Sequence, residues 1–141
     1  MLEHPVPLGE PMGDVALRLT NVVPATDPED YYSPRRYVVE ADSEVTAAVT
    51  AGFWSSDGLG RFLAGLAEDF RGWSGERIWQ ASDLVLCVAA THEKLGHVHL
   101  RWTLTDSRHE PGCELTVRTV VDAGEDMRRL AADVRAAEPD D

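Results

Sequence analysis

A chain of 141 residues, 43% of them hydrophobic, is long enough to bury one core without disulfides or metal. No stretch approaches the run of roughly 18 apolar residues that a membrane helix needs, and MLEHPVPLGEPMGD lacks the basic-then-apolar pattern of a secretory leader, so a cytoplasmic location is expected. Twenty-five acidic against thirteen basic residues give a net charge of −12, the wrong sign for neutralising phosphates, so nucleic-acid binding is set aside and any partner is expected to be basic or neutral.

Half of that acidic excess falls between Met1 and Glu44, with nine acids against three bases. The charge either steers a partner or merely keeps the protein in solution. The basic residues are twelve arginines and one lysine, a bias typical of a GC-rich bacterial genome. Cys87, inside LVLCVAA, reads as a small buried thiol, and a bond to Cys113 is not expected in a reducing compartment.

In chain order, residues 1–13 carry Pro5, Pro7, Pro11, Gly9 and Gly13 without periodicity and read as a flexible arm that docks weakly or not at all. VALRLT alternates as a strand. The proline-rich loop of residues 22–34 leads into RRYVVEA and, after a polar turn, EVTAAVTAGF, a hairpin by pattern. Leu59, Phe62, Leu63, Leu66 and Phe70 then form one helical stripe, with Ser56 or Asp57 placed to cap its start. Gly58, Gly60 and Gly65 weaken that helix but can admit a sheet at close range.

FRGWSGERIWQ reads as a helix stop at Gly72, a turn at Ser74 and Gly75, and a strand start, with its tryptophans as packing residues. LVLCVAAT, GHVHLRWTL and CELTVRTVV follow as strands. Asp122 with Glu125 resembles a capping box for a helix whose buried stripe is Met127, Leu130, Ala131 and Val134. EPDD, residues 138–141, reads as a frayed acidic tail. The fold class expected is α+β in two layers: a mainly antiparallel sheet of about six or seven strands, one helix between two strand groups and one at the C-terminus, all in a single domain over 14–137.

Chemistry is thinly represented. There is no G-x-S-x-G, P-loop or dinucleotide fingerprint, so neither catalytic residue nor cofactor is assigned and the chain is read as a non-enzyme. Glu68, Asp69 and Glu76 are flanked by Arg71 and Arg77, which favours surface ion pairs over an acid/base pair. Arg129 is spaced to pair with Glu125 or Asp133. His97 and His99 project from one strand face and, with His92 or His109, could hold a metal ion, although Arg101 on the same face would repel it. Trp102, of opposite parity, cannot share that face. The loop residues Asp27, Glu29, Asp30, Tyr31 and Tyr32 combine steering charge with aromatics of the kind found at hot spots and are the candidate partner-binding contacts; the other reading is an acidic loop with its tyrosines tucked against the sheet edge.

WSSDGLGRFLAGLAEDFRGWSGERIWQ, GHVHLRWTL and VVDAGEDMRRLAADVR together resemble an uncharacterised bacterial domain-of-unknown-function family, numbered 6228, over residues 37–135, with RGWSGERIW the most specific part. The resemblance implies no established activity and transfers no catalytic residue. A looser similarity, in element order alone, is to WapI-like immunity proteins, which neutralise secreted toxins by binding them. It implies a non-catalytic protein-binding module, an immunity-type inhibitor of a basic bacterial toxin. The alternative is a small-ligand or metal-binding domain built around His97, His99 and Trp102.

Overall fold

A computed structural model describes residues 2–23, 35–43, 46–53, 58–81, 84–106 and 113–138. In chain order these form β1 (Val6–Pro7), β2 (Glu10–Pro11), β3 (Ala16–Val23), β4 (Arg35–Asp42), β5 (Thr46–Phe53), α1 (Leu59–Glu68), β6 (Glu76–Gln80), β7 (Leu86–His92), β8 (His97–Asp106), β9 (Cys113–Asp122) and α2 (Glu125–Ala137). The class is α+β with the helices where the periodicity put them, one mid-chain and one C-terminal.

The strands divide between two antiparallel sheets: a four-stranded one in the order β1-β3-β4-β5 and a five-stranded one in the order β2-β9-β8-β7-β6. Alternation along each strand sends one row inward. Leu17, Leu19, Tyr37 and Val39 do so in the first sheet, and Val88, Leu100, Trp102 and Val117 in the second. A bulge between Leu19 and Asn21 shifts the register of β3, so that Thr20 and Val22 are both buried farther along. The inner faces meet at Tyr37 and Trp79, whose rings stand edge to face at 6.0 Å. Leu59, Leu63 and Leu66 of α1 and Met127, Leu130 and Val134 of α2 complete a single apolar core with both sheets.

The N-terminal arm differs most from its expectation. It is docked: β1 pairs with β3, β2 pairs with β9, and Leu8 between them is fully buried. Burial of a leucine side chain contributes roughly 1.5–3 kcal/mol, enough to hold a short segment whose prolines hide its periodicity. The arm crosses from one sheet to the other at Gly9, whose φ of +99° is a left-handed conformation that favours glycine.

Smaller corrections concern the helix ends. The helix α1 stops at Glu68, leaving Phe70 outside the stripe and exposed. Its N-cap is Gly58, without a side-chain cap bond, while Ser56 and Asp57 lie outside the described residues. The N-cap of α2 is Gly124, so Asp122 ends β9 and makes no capping box. Glu138 is no frayed tail, because it accepts a hydrogen bond from the Tyr37 hydroxyl. Gly60 admits that carboxylate and Arg135 of α2, where a Cβ would collide with both, so the close approach is to α2 and not to a sheet.

Candidate functional site

The signature RGWSGERIW builds a joint between α1 and β7. Gly72, at φ +114°, lets the chain pass so near His92 that a Cβ there would lie 2.9 Å from Nδ1. Trp73 donates from Nε1 to the Ala90 carbonyl at 3.3 Å, meets the His92 ring edge-on at 5.3 Å and carries the Arg77 guanidinium 4.7 Å above its own ring. Arg77 also pairs with Asp69 at 2.5 Å, and Glu76 pairs with Arg101 at 3.2 Å. Asp69 and Glu76 are thus ion-paired surface acids, and the tryptophans are packing residues.

His97 and His99 stand side by side on the outer face of β8. His99 Nε2 lies 2.8 Å from Glu93, and His97 Nε2 lies 3.2 Å from Asp122. Among the described residues no group of three or more His, Cys, Asp and Glu side chains is arranged to hold a metal ion. Trp102 is fully buried on the opposite face, with its Nε1 donating to Thr119 Oγ1 at 3.0 Å, so it shares no pocket with the two histidines. Cys87 is a free thiol. Asp27, Glu29, Asp30, Tyr31 and Tyr32 lie outside the described residues.

A concavity that the sequence did not announce forms where the arm, β8, β9 and α2 converge. Its volume is about 460 Å³. Pro7, Val120, Val121 and Leu130 give it apolar walls, and Glu10, Asp122, Asp126 and Asp133 bring carboxylates, against Arg129 and His97 as the basic groups. Asp122 faces His97, and Arg129 lies 3.7 Å from Glu125 in place of Asp133. Among the described residues Glu10, Asp126 and Asp133 make no ion pair. Asp126 is favoured locally by the N-terminal end of the α2 dipole. That reason does not reach Asp133, near the middle of the helix, or Glu10, on the arm. Apolar walls with unpaired carboxylates suit a guest with an aliphatic stem and a cationic head.

The signal for this concavity was divided among three distant segments: GEP in the arm, VVD at the end of β9, and the aspartates seven apart on α2. Only α2 could be read from the sequence, as a solvated face. The arm's docking, which closes one wall, depends on Val6 and Leu8, two apolar residues interspersed with prolines.

No helix among the described residues is long and apolar enough to cross a membrane. No curated protein and no solved structure matches the chain. The model of a family of unknown function matches residues 9–138, from the sheet-crossing glycine of the arm to the glutamate that closes on Tyr37, and the chain belongs to that family, DUF6228.

Proposed function

We propose that this chain is a non-catalytic protein-binding module whose partner is a basic protein, acting as an immunity-type inhibitor of a basic toxin. The observation that carries the reading is the concavity of about 460 Å³, in which Glu10, Asp126 and Asp133, without an ion pair among the described residues, stand over apolar walls. Such a seat takes one lysine or arginine side chain of the partner, with its stem against Val120 and Leu130 and its head among the carboxylates. The net charge of −12 speeds encounter. Asp27, Glu29, Asp30, Tyr31 and Tyr32 remain the second contact proposed, on sequence grounds.

The test is capture of a basic protein from cell lysate on the immobilised chain at low salt, beside the Asp126→Asn/Asp133→Asn variant. A protein that the wild type retains, that salt releases and that the variant loses by about ten-fold in affinity supports the reading. Equal retention by both chains removes the concavity as the seat.

A further inference from the structure

The outermost strand of the five-stranded sheet is β6, with β7 on one side and no strand among the described residues on the other. The phase of its ladder identifies which backbone groups face outward. Ala81 N donates to Leu86 O at 2.8 Å, and the same register continues through Trp79↔Val88 and Arg77↔Ala90. Those positions direct their amides and carbonyls at β7, so the amides and carbonyls of Glu76, Ile78 and Gln80 face the open edge. The strand carries no proline, its register with β7 is unbroken, and its two charged side chains, Glu76 and Arg77, are each engaged in an ion pair within the chain.

Three of the large apolar side chains on the surface belong to this strand and the segments that flank it: Phe70 at 48% exposure, Ile78 at 57% and Leu84 at 62%. Phe70 sits at the Glu76 end, where its carbonyl is 3.1 Å from Nε2 of His92. Leu84 sits at the Gln80 end, where its amide donates to Ala81 O at 3.0 Å.

We propose that β6 pairs antiparallel with β6 of a second copy of this chain, about a two-fold axis at Ile78, joining the two five-stranded sheets into one. The register is self-compatible at every position. Ile78 meets Ile78 of the second copy, Glu76 stands opposite Gln80, and Arg77 stands opposite Trp79, so no like charges face each other. Antiparallel pairing also brings the Phe70 end of each copy to the Leu84 end of the other, and the three outward-facing residues supply roughly six backbone hydrogen bonds. Two chains of net charge −12 can meet here because two of the carboxylates described beside β6 are paired within the chain, Asp69 with Arg77 and Glu76 with Arg101.

The experiment is sedimentation equilibrium on the full chain from about 5 to about 300 µM in physiological salt, with amide exchange followed over the same range. The expected result is a monomer–dimer equilibrium in which exchange at Glu76, Ile78 and Gln80 slows as concentration rises. Ile78→Lys, which keeps the monomer fold because the side chain is exposed, places two cations on the axis and weakens the dimer about ten-fold or more. Leu95→Lys, at a position 80% exposed in the turn after β7, leaves it unchanged. A chain that stays monomeric throughout, or a dimer indifferent to Ile78→Lys, overturns the proposal.

Discussion

Gly9 combines two demands that one residue type meets: a φ of +99°, and a position where an added Cβ would lie 2.7 Å from Thr119 Oγ1. That hydroxyl is fully buried and central to a short relay, since it accepts from Trp102 Nε1 and donates to the Leu8 carbonyl at 2.6 Å. Gly9→Ala therefore strains the backbone and pushes on the relay together, and a loss of about 2–3 kcal/mol is expected in urea unfolding. Gly13→Ala, with nothing within 4 Å of its Cβ, should stay within about 0.5 kcal/mol of wild type. Thr119→Val keeps the shape but leaves the Trp102 N–H without an acceptor and the Leu8 carbonyl without a donor, at a cost of about 1–3 kcal/mol. An unchanged midpoint for Thr119→Val would mean that strand pairing and the burial of Val6 and Leu8 hold the arm without the relay. At this scale the sequence was legible for residues whose neighbours share a periodicity, such as Trp102 and Val117. It was opaque at Gly9 and Leu8, which both meet Thr119, 110 or more positions away.

Among elements, α1 shows why periodicity locates a helix but not its ends. Its stripe of Leu59, Leu63 and Leu66 is a local pattern, and all three are buried as that pattern requires. Its first turn, by contrast, is satisfied from far along the chain. Leu59 N donates to the Tyr37 hydroxyl at 2.8 Å, and that hydroxyl donates to Glu138, 101 residues later in sequence. The same carboxylate lies 3.5 Å from Gly60 N, so a negative group from the end of α2 sits at the positive end of α1. Glu138→Ala should cost about 1 kcal/mol, and faster amide exchange should be confined to the first turn of α1. Combined with Tyr37→Phe, its effect should fall short of the sum by about 0.5 kcal/mol or more, because each substitution breaks the shared contact. Strict additivity would show that Tyr37 and Glu138 support α1 independently. The same division holds in RGWSGERIW. Its stop-turn-strand grammar was readable, whereas the seating of Trp73 between Arg77 and His92 needed the β7 partner, which no local pattern names.

For the whole molecule, strand order and helix placement followed from hydrophobic pattern, but the division into two sheets did not, because pairing partners leave no trace in a strand's own alternation. Net charge was legible directly, and its consequence can be measured. The −12 must be carried by a fold of modest size, and among the described residues Glu10, Asp126 and Asp133 make no ion pair. Opposing this are exposed pairs such as Arg18 with Glu40 and Asp42, and Arg77 with Asp69, whose attraction is weakened by the surrounding solvent. Salt screens both, yet repulsion among a dozen excess charges involves many more pairs than the few attractive contacts. Raising sodium chloride from about 10 to about 100 mM, which shortens the Debye length from about 30 to about 10 Å, should therefore raise the melting temperature by about 3 °C. Asp133→Asn, which removes a concavity carboxylate beyond the reach of the α2 dipole, should start from a higher melting temperature at low salt and gain less on screening. A melting temperature that falls with salt would show that the ion pairs outweigh the repulsion, and the concavity would then lose its standing as a store of uncompensated charge.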